Sequence, residues 1–68
     1  MIMKPGNTLK MPGIDRPFKV VSSGLRVFVM QSPVKLKSIS PQFEINGIKF
    51  DCKLANNRRE VICYLCIS

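Results

Sequence analysis

Three cysteines, Cys52, Cys63 and Cys66, are the residues of this 68-residue chain most suited to chemistry, and the last two stand in the segment CYLCIS. Two thiols at that spacing resemble half of a zinc site, and a structural zinc takes four ligands, usually cysteine or histidine. The chain has three cysteines and no histidine. If residues 58–67 form a regular strand, Cys63 points inward with Val61 and Leu65 while Cys66 points to the other face, because side chains alternate along a strand. Asp51 could complete a ligand set only from the face opposite Cys52, so a metal site would need ligands from a second subunit. A redox-active pair at this spacing relies on a helix N-terminus to lower its thiol pKa, and no helix is expected. Cys52 and Cys63 share a face and read as small core side chains. No metal and no cofactor is expected.

Catalytic groups are equally sparse. Without histidine there is no ordinary proton shuttle at neutral pH and no histidine-activated nucleophile. The carboxylates Asp15, Glu44, Asp51 and Glu60 would have to converge in pairs across a cleft to cleave a glycoside. Glu44 and Glu60 instead acquire cross-strand cations, Lys49 and Lys53, in the expected register. The turns KPGN and MPGID lack the repeated glycines and lysine of a phosphate-binding loop. No catalytic residue is assigned, and the chain is not expected to be an enzyme.

Cations are the plentiful resource. The net charge is +7, from eleven basic and four acidic residues. Up to Pro41, Lys4, Lys10, Arg16, Lys19, Arg26, Lys35 and Lys37 are opposed only by Asp15. Beyond it, Lys49, Lys53, Arg58 and Arg59 are nearly balanced by Glu44, Asp51 and Glu60. Such asymmetry points to a polyanionic partner. The expected strand register groups Lys19, Arg26, Phe28, Lys35 and Lys37 on one face, where Phe28 could stack on a base while the cations meet phosphates. Lys4 and Lys10, on an irregular basic arm over residues 1–15, and Arg16 immediately after it would extend the backbone contacts. The expected function is that of a small basic nucleic-acid-binding protein in a regulatory role, with single-stranded nucleic acid or RNA preferred. Alternatives are a protein-binding module or inhibitor docking on an acidic partner, and a structural or oligomer-forming subunit.

The elements that must position these residues are strands. Apolar residues nowhere keep helical spacing, and Pro or Gly punctuates the chain as far as Pro41. Strands are expected at 17–22, 25–31, 34–40, 42–46, 48–55 and 58–67. Asn46-Gly47 in FEINGIKF suits a type I′ turn and pairs Ile45 with Ile48, Glu44 with Lys49 and Phe43 with Phe50. A turn at Asn56-Asn57 would set Leu54 opposite Arg59, Cys52 opposite Val61, Phe50 opposite Cys63 and Lys53 opposite Glu60. One at Ser23-Gly24 would set Val20 opposite Val27, Phe18 opposite Val29 and Lys19 opposite Phe28. A turn at Ser32-Pro33 would then bring Leu36 to Val29. The resulting fold class is all-β: a small curled antiparallel sheet or small barrel of five to six strands over residues 16–68.

So small a chain buries only about 60% of its unfolded surface and gains from a partner. The last strand is apolar on both faces, which suggests a homodimer covering Ile62, Tyr64 or Ile67. No apolar run reaches the ~18 residues of a membrane span, so no membrane insertion is expected. Lys4, Pro5 and Gly6 interrupt the start in a way unlike a secretory signal. The odd cysteine count suits a reducing compartment, and a cytoplasmic location is expected.

Overall fold

The computed structural model describes residues 3–11 and 13–66. Its strands are β1 (Thr8–Leu9), β2 (Phe18–Ser23), β3 (Val27–Gln31), β4 (Gln42–Ile45), β5 (Ile48–Leu54) and β6 (Glu60–Leu65). They form one antiparallel sheet in the order β1-β2-β3-β6-β5-β4, curled into a half-barrel. The small curled all-β fold read from the sequence is therefore present.

The β4–β5 hairpin follows directly from its residues. Asn46 and Gly47 take φ of 51° and 83°, the left-handed region that a type I′ turn demands. Phe43↔Phe50, Glu44↔Lys49 and Ile45↔Ile48 pair as the turn dictates. Phe43 stacks on Phe50 with ring centroids 5.6 Å apart, and Phe28 meets Phe50 edge-on at 5.1 Å. This aromatic cluster lies on the inner face with Phe18, Val20, Met30, Val61 and Cys63, all fully buried.

The β5–β6 turn is wider than two residues. Ala55 N–H donates to Glu60 O, Arg58 N–H donates to Ala55 O, and Arg58 adopts φ 59°. Asn57 Oδ1 accepts from the backbone N–H groups of Arg59 and Glu60 at 3.0 and 3.2 Å. The register consequently slips by two residues from expectation, to Leu54↔Val61, Cys52↔Cys63 and Phe50↔Leu65, with Lys53 opposite Ile62 rather than Glu60. A slip of two leaves every side chain on its expected face.

The β2–β3 hairpin departs further. Its tip is Leu25-Arg26, closed by Gly24 N–H to Val27 O, and not Ser23-Gly24. Ser23 pairs with Phe28 and Ser22 with Val29, but a bulge at Val21 shifts the pairing to Val20↔Met30 and Lys19↔Gln31. One extra residue reverses the parity between two strands. Inward Val20 is thereby matched to Met30, so Phe28 and Met30 point into the core and Val27 and Val29 point out. The expected face assignment of β3 was the reverse.

Residues 34–40 form no strand. Ser32 Oγ donates to Val34 O and accepts from Val34 N–H, turning the chain beside Pro33. The place beside β3 that this segment was expected to fill belongs to β6. The chain leaves β3 in mid-sheet, passes the ends of β6 and β5, and enters β4 at the far edge. On the way Leu36 packs into the core. At the other edge the N-terminal segment is less irregular than expected: β1 pairs with β2, and Met3 and Met11 are buried. A cleft of about 430 Å³ separates the two covering segments, lined by Met11, Gly13, Ile14, Ser38, Ile39 and Ser40.

Candidate functional site

The crossing segment 32–41 and the β5–β6 turn meet at one end of the sheet, held by three hydrogen bonds. Ser32 N–H donates to Arg59 O at 2.6 Å and Leu36 N–H to Arg58 O at 2.7 Å. Arg58 Nη1 donates to Lys37 O at 2.9 Å. Lys35, Lys37, Arg58 and Arg59 are thus gathered from two stretches more than twenty residues apart, and all four are exposed. The topology is the cause: a strand connection that skips over β6 and β5 must pass their joining turn.

The ladder places two more cations at this end. β1 ends at Leu9 opposite Phe18, so Lys10 and Arg16 flank the start of β2, on the level where β3 gives way to Ser32. Asp15 and Glu60 are the carboxylates nearest in the ladder, and Glu60 accepts from the neutral amide of Asn57 at 3.0 Å. Lys19 lies on β2 between Thr8 and Gln31, exposed on the outer face. Arg26 occupies the tip of the β2–β3 hairpin, where its carbonyl accepts from Leu65 N–H at the opposite end. Lys4 sits in the turn before β1, held by Asn7, and the neighbouring Gly6 N–H donates to Val20 O. Asn7 lies opposite Val20, two residues beyond Phe18, so Lys4 is set back from this end. The expected cations therefore divide: Lys10, Arg16, Lys35 and Lys37 share an end with Arg58 and Arg59, Lys19 follows one residue into β2 on the outer face, and Lys4 and Arg26 stand apart.

Phe28 is not part of any exposed surface. Its ring is fully buried and meets Phe43 and Phe50 edge-on. The expected stacking platform is corrected on this point, and the Val21 bulge is the reason. The exposed aromatic ring is Tyr64, on the outer face of β6 opposite Val27 and Asp51.

The cysteines lie where alternation puts them. Cys63 is buried on the inner face opposite half-buried Cys52. Cys66 is on the other face, beyond the end of β6, where its N–H donates to Lys49 O. Cys63 and Cys66 consequently cannot share one ion. Among the described residues no group of three potential ligands converges. A hydrogen bond from the Cys63 thiol holds Cys52 below the usual thiol range, against opposing effects of burial and the Asp51 charge. The same bond, and then burial, push the Cys63 thiol up. Partial burial and next the Asp51 carboxylate raise Cys66.

No family model, curated protein or solved structure matches this chain. The site therefore rests on its own geometry.

Arg58 and Arg59 are the members that sequence reasoning missed, having been counted in the nearly neutral half. Their neighbours in space come from β3's exit, and only the β3–β6 pairing reveals that. Among the described residues no helix is long and apolar enough to cross a membrane.

Proposed function

We propose that this chain is a non-enzymatic nucleic-acid-binding protein that grips phosphates with the cationic end of its half-barrel. The observation that carries the reading is the hydrogen-bonded union of the Lys35–Lys37 stretch with the Arg58-Arg59 turn. Four exposed cations fixed around one short region suit successive phosphates, and a small β scaffold limits the entropy lost on binding. Lys10 and Arg16 extend the same field, and the net charge of +7 supports attraction at longer range.

With Phe28 in the core, base stacking no longer contributes to the reading. Binding is then mainly electrostatic and weakly selective for sequence. The direct test is filter binding or gel shift with RNA, single-stranded DNA and duplex DNA across a salt series. Binding at low salt that weakens steeply as salt rises is the expected result. Absence of binding to all three would refute the proposal and turn attention to an acidic protein surface.

A second reading is favoured by the outer face of the sheet. Val29 pairs with Ile62 and Val27 with Tyr64, forming an apolar strip across β3 and β6. Ile62 is half-buried and Tyr64 is 46% exposed. We propose this strip as the contact of a homodimer. Ile67, also named for that role, lies outside the described residues.

A further inference from the structure

Cys52 and Cys63 face one another across β5 and β6, and the ladder fixes what kind of pair they are. Ala55 N–H bonds to Glu60 O, and Cys66 N–H bonds to Lys49 O, so the pairs 55–60 and 49–66 are hydrogen-bonded. Pairs alternate along an antiparallel ladder. Counting inward from either end makes Cys52↔Cys63 a non-hydrogen-bonded pair. Two further bonds agree: Cys52 N–H turns away to Pro41 O, and Leu65 N–H turns to Arg26 O on β3. In such a pair the Cα atoms are about 4.5 Å apart and the side chains are at their closest. That separation lies within the window a disulfide spans, roughly 4.4–6.8 Å.

We propose that Cys52 and Cys63 form a reversible cross-strand disulfide when the folded protein meets a peroxide. Access and placement divide the roles. Cys52 is partly exposed, whereas Cys63 across the ladder is fully buried. The Cys52 thiolate attacks one peroxide oxygen, the O–O bond breaks, and protonation releases the other oxygen as water. This leaves a sulfenic acid on Cys52. The Cys63 sulfur then attacks the Cys52 sulfur and the S–O bond breaks. The departing hydroxide takes the Cys63 proton and leaves as a second water. Two electrons pass from the sulfurs to the peroxide, and no other co-reactant is needed. The lowering of the Cys52 thiol by its neighbour agrees with this division. With one of its sulfurs partly exposed, the bond is open to thiol attack and easily reduced. The proposal does not depend on nucleic-acid binding.

Trypsin provides a clean readout, because Lys49, Lys53 and Arg59 flank the two cysteines and place Cys52 and Cys63 on different peptides. In a Cys66→Ser background, hydrogen peroxide should lower the intact mass of the folded chain by two hydrogen atoms. The Cys52 and Cys63 peptides should become linked, and dithiothreitol should restore both mass and peptides. The link should form on the order of tenfold faster in the folded protein than in urea. Cys52→Ser, at the half-buried position, should abolish it with the fold retained. Oxygen adducts on Cys52 without a link, links only between chains, or equal rates folded and in urea would each overturn the proposal.

Discussion

Phe28 illustrates how one ring can be misread and then prove central. It is fully buried against Phe43 and Phe50, so its removal leaves a cavity in the middle of a small core. Phe28→Ala is expected to cost about 3–5 kcal/mol. That is a large share of the total for a domain this size, at roughly 0.05–0.15 kcal/mol per residue. Urea denaturation followed by circular dichroism measures it, and a change below about 1 kcal/mol would mean the core is not closed around this ring. Gly47 offers a different kind of sensitivity. Its φ is 83°, and a Cβ built there would meet no atom within 4 Å. Gly47→Val should therefore destabilise through the backbone alone, by about 1–3 kcal/mol. A neutral result in the same denaturation experiment would require another turn conformation.

At the scale of elements, the β5–β6 turn is held by the Asn57 side chain, which caps two backbone donors. Asn57→Ala should cost about 1–2 kcal/mol and loosen the turn bearing Arg58 and Arg59. Faster amide exchange at Arg59 and Glu60 would report it, and unchanged exchange would deny the cap its role. The β4–β5 hairpin was legible from the sequence because a two-residue Asn-Gly turn leaves one register, and Phe43–Phe50 pairing agreed with it. The β5–β6 register was only partly legible. Asn56-Asn57 marked the turn, but side-chain capping and the positive φ of Arg58 set its length. The faces survived because a two-residue slip preserves them. The β2–β3 faces did not survive, since the Val21 bulge has no local signature in VVSSG and changes parity by one. Segment 34–40 alternates like a strand, yet Ser32 turns it and β6 takes its place beside β3. Non-sequential pairing of that kind is decided by the whole sheet. For the same reason the sequence exposed Lys35 and Lys37 as candidates but not Arg58 and Arg59.

Across the whole molecule, two surfaces invite separate tests. The outer strip of Val27, Val29, Ile62 and Tyr64 is proposed to join two copies, so sedimentation across concentration should show a dimer that Tyr64→Lys weakens. A strictly monomeric wild type at high micromolar concentration would exclude that contact. The cationic end draws its residues from elements that the half-barrel alone brings together. Its most direct measurement is the salt dependence of binding to a single-stranded oligonucleotide. Each phosphate contact contributes about 0.7 to the slope of log K against log salt. The double variant Lys35→Ala, Arg59→Ala should flatten the wild-type slope by about 1.4, two contacts' worth, after its fold has been verified. Arg26→Ala, a cation removed from the opposite end, should leave the slope nearly unchanged. An unaltered slope in the double variant, or an equal loss in Arg26→Ala, would contradict a binding site at this end of the sheet.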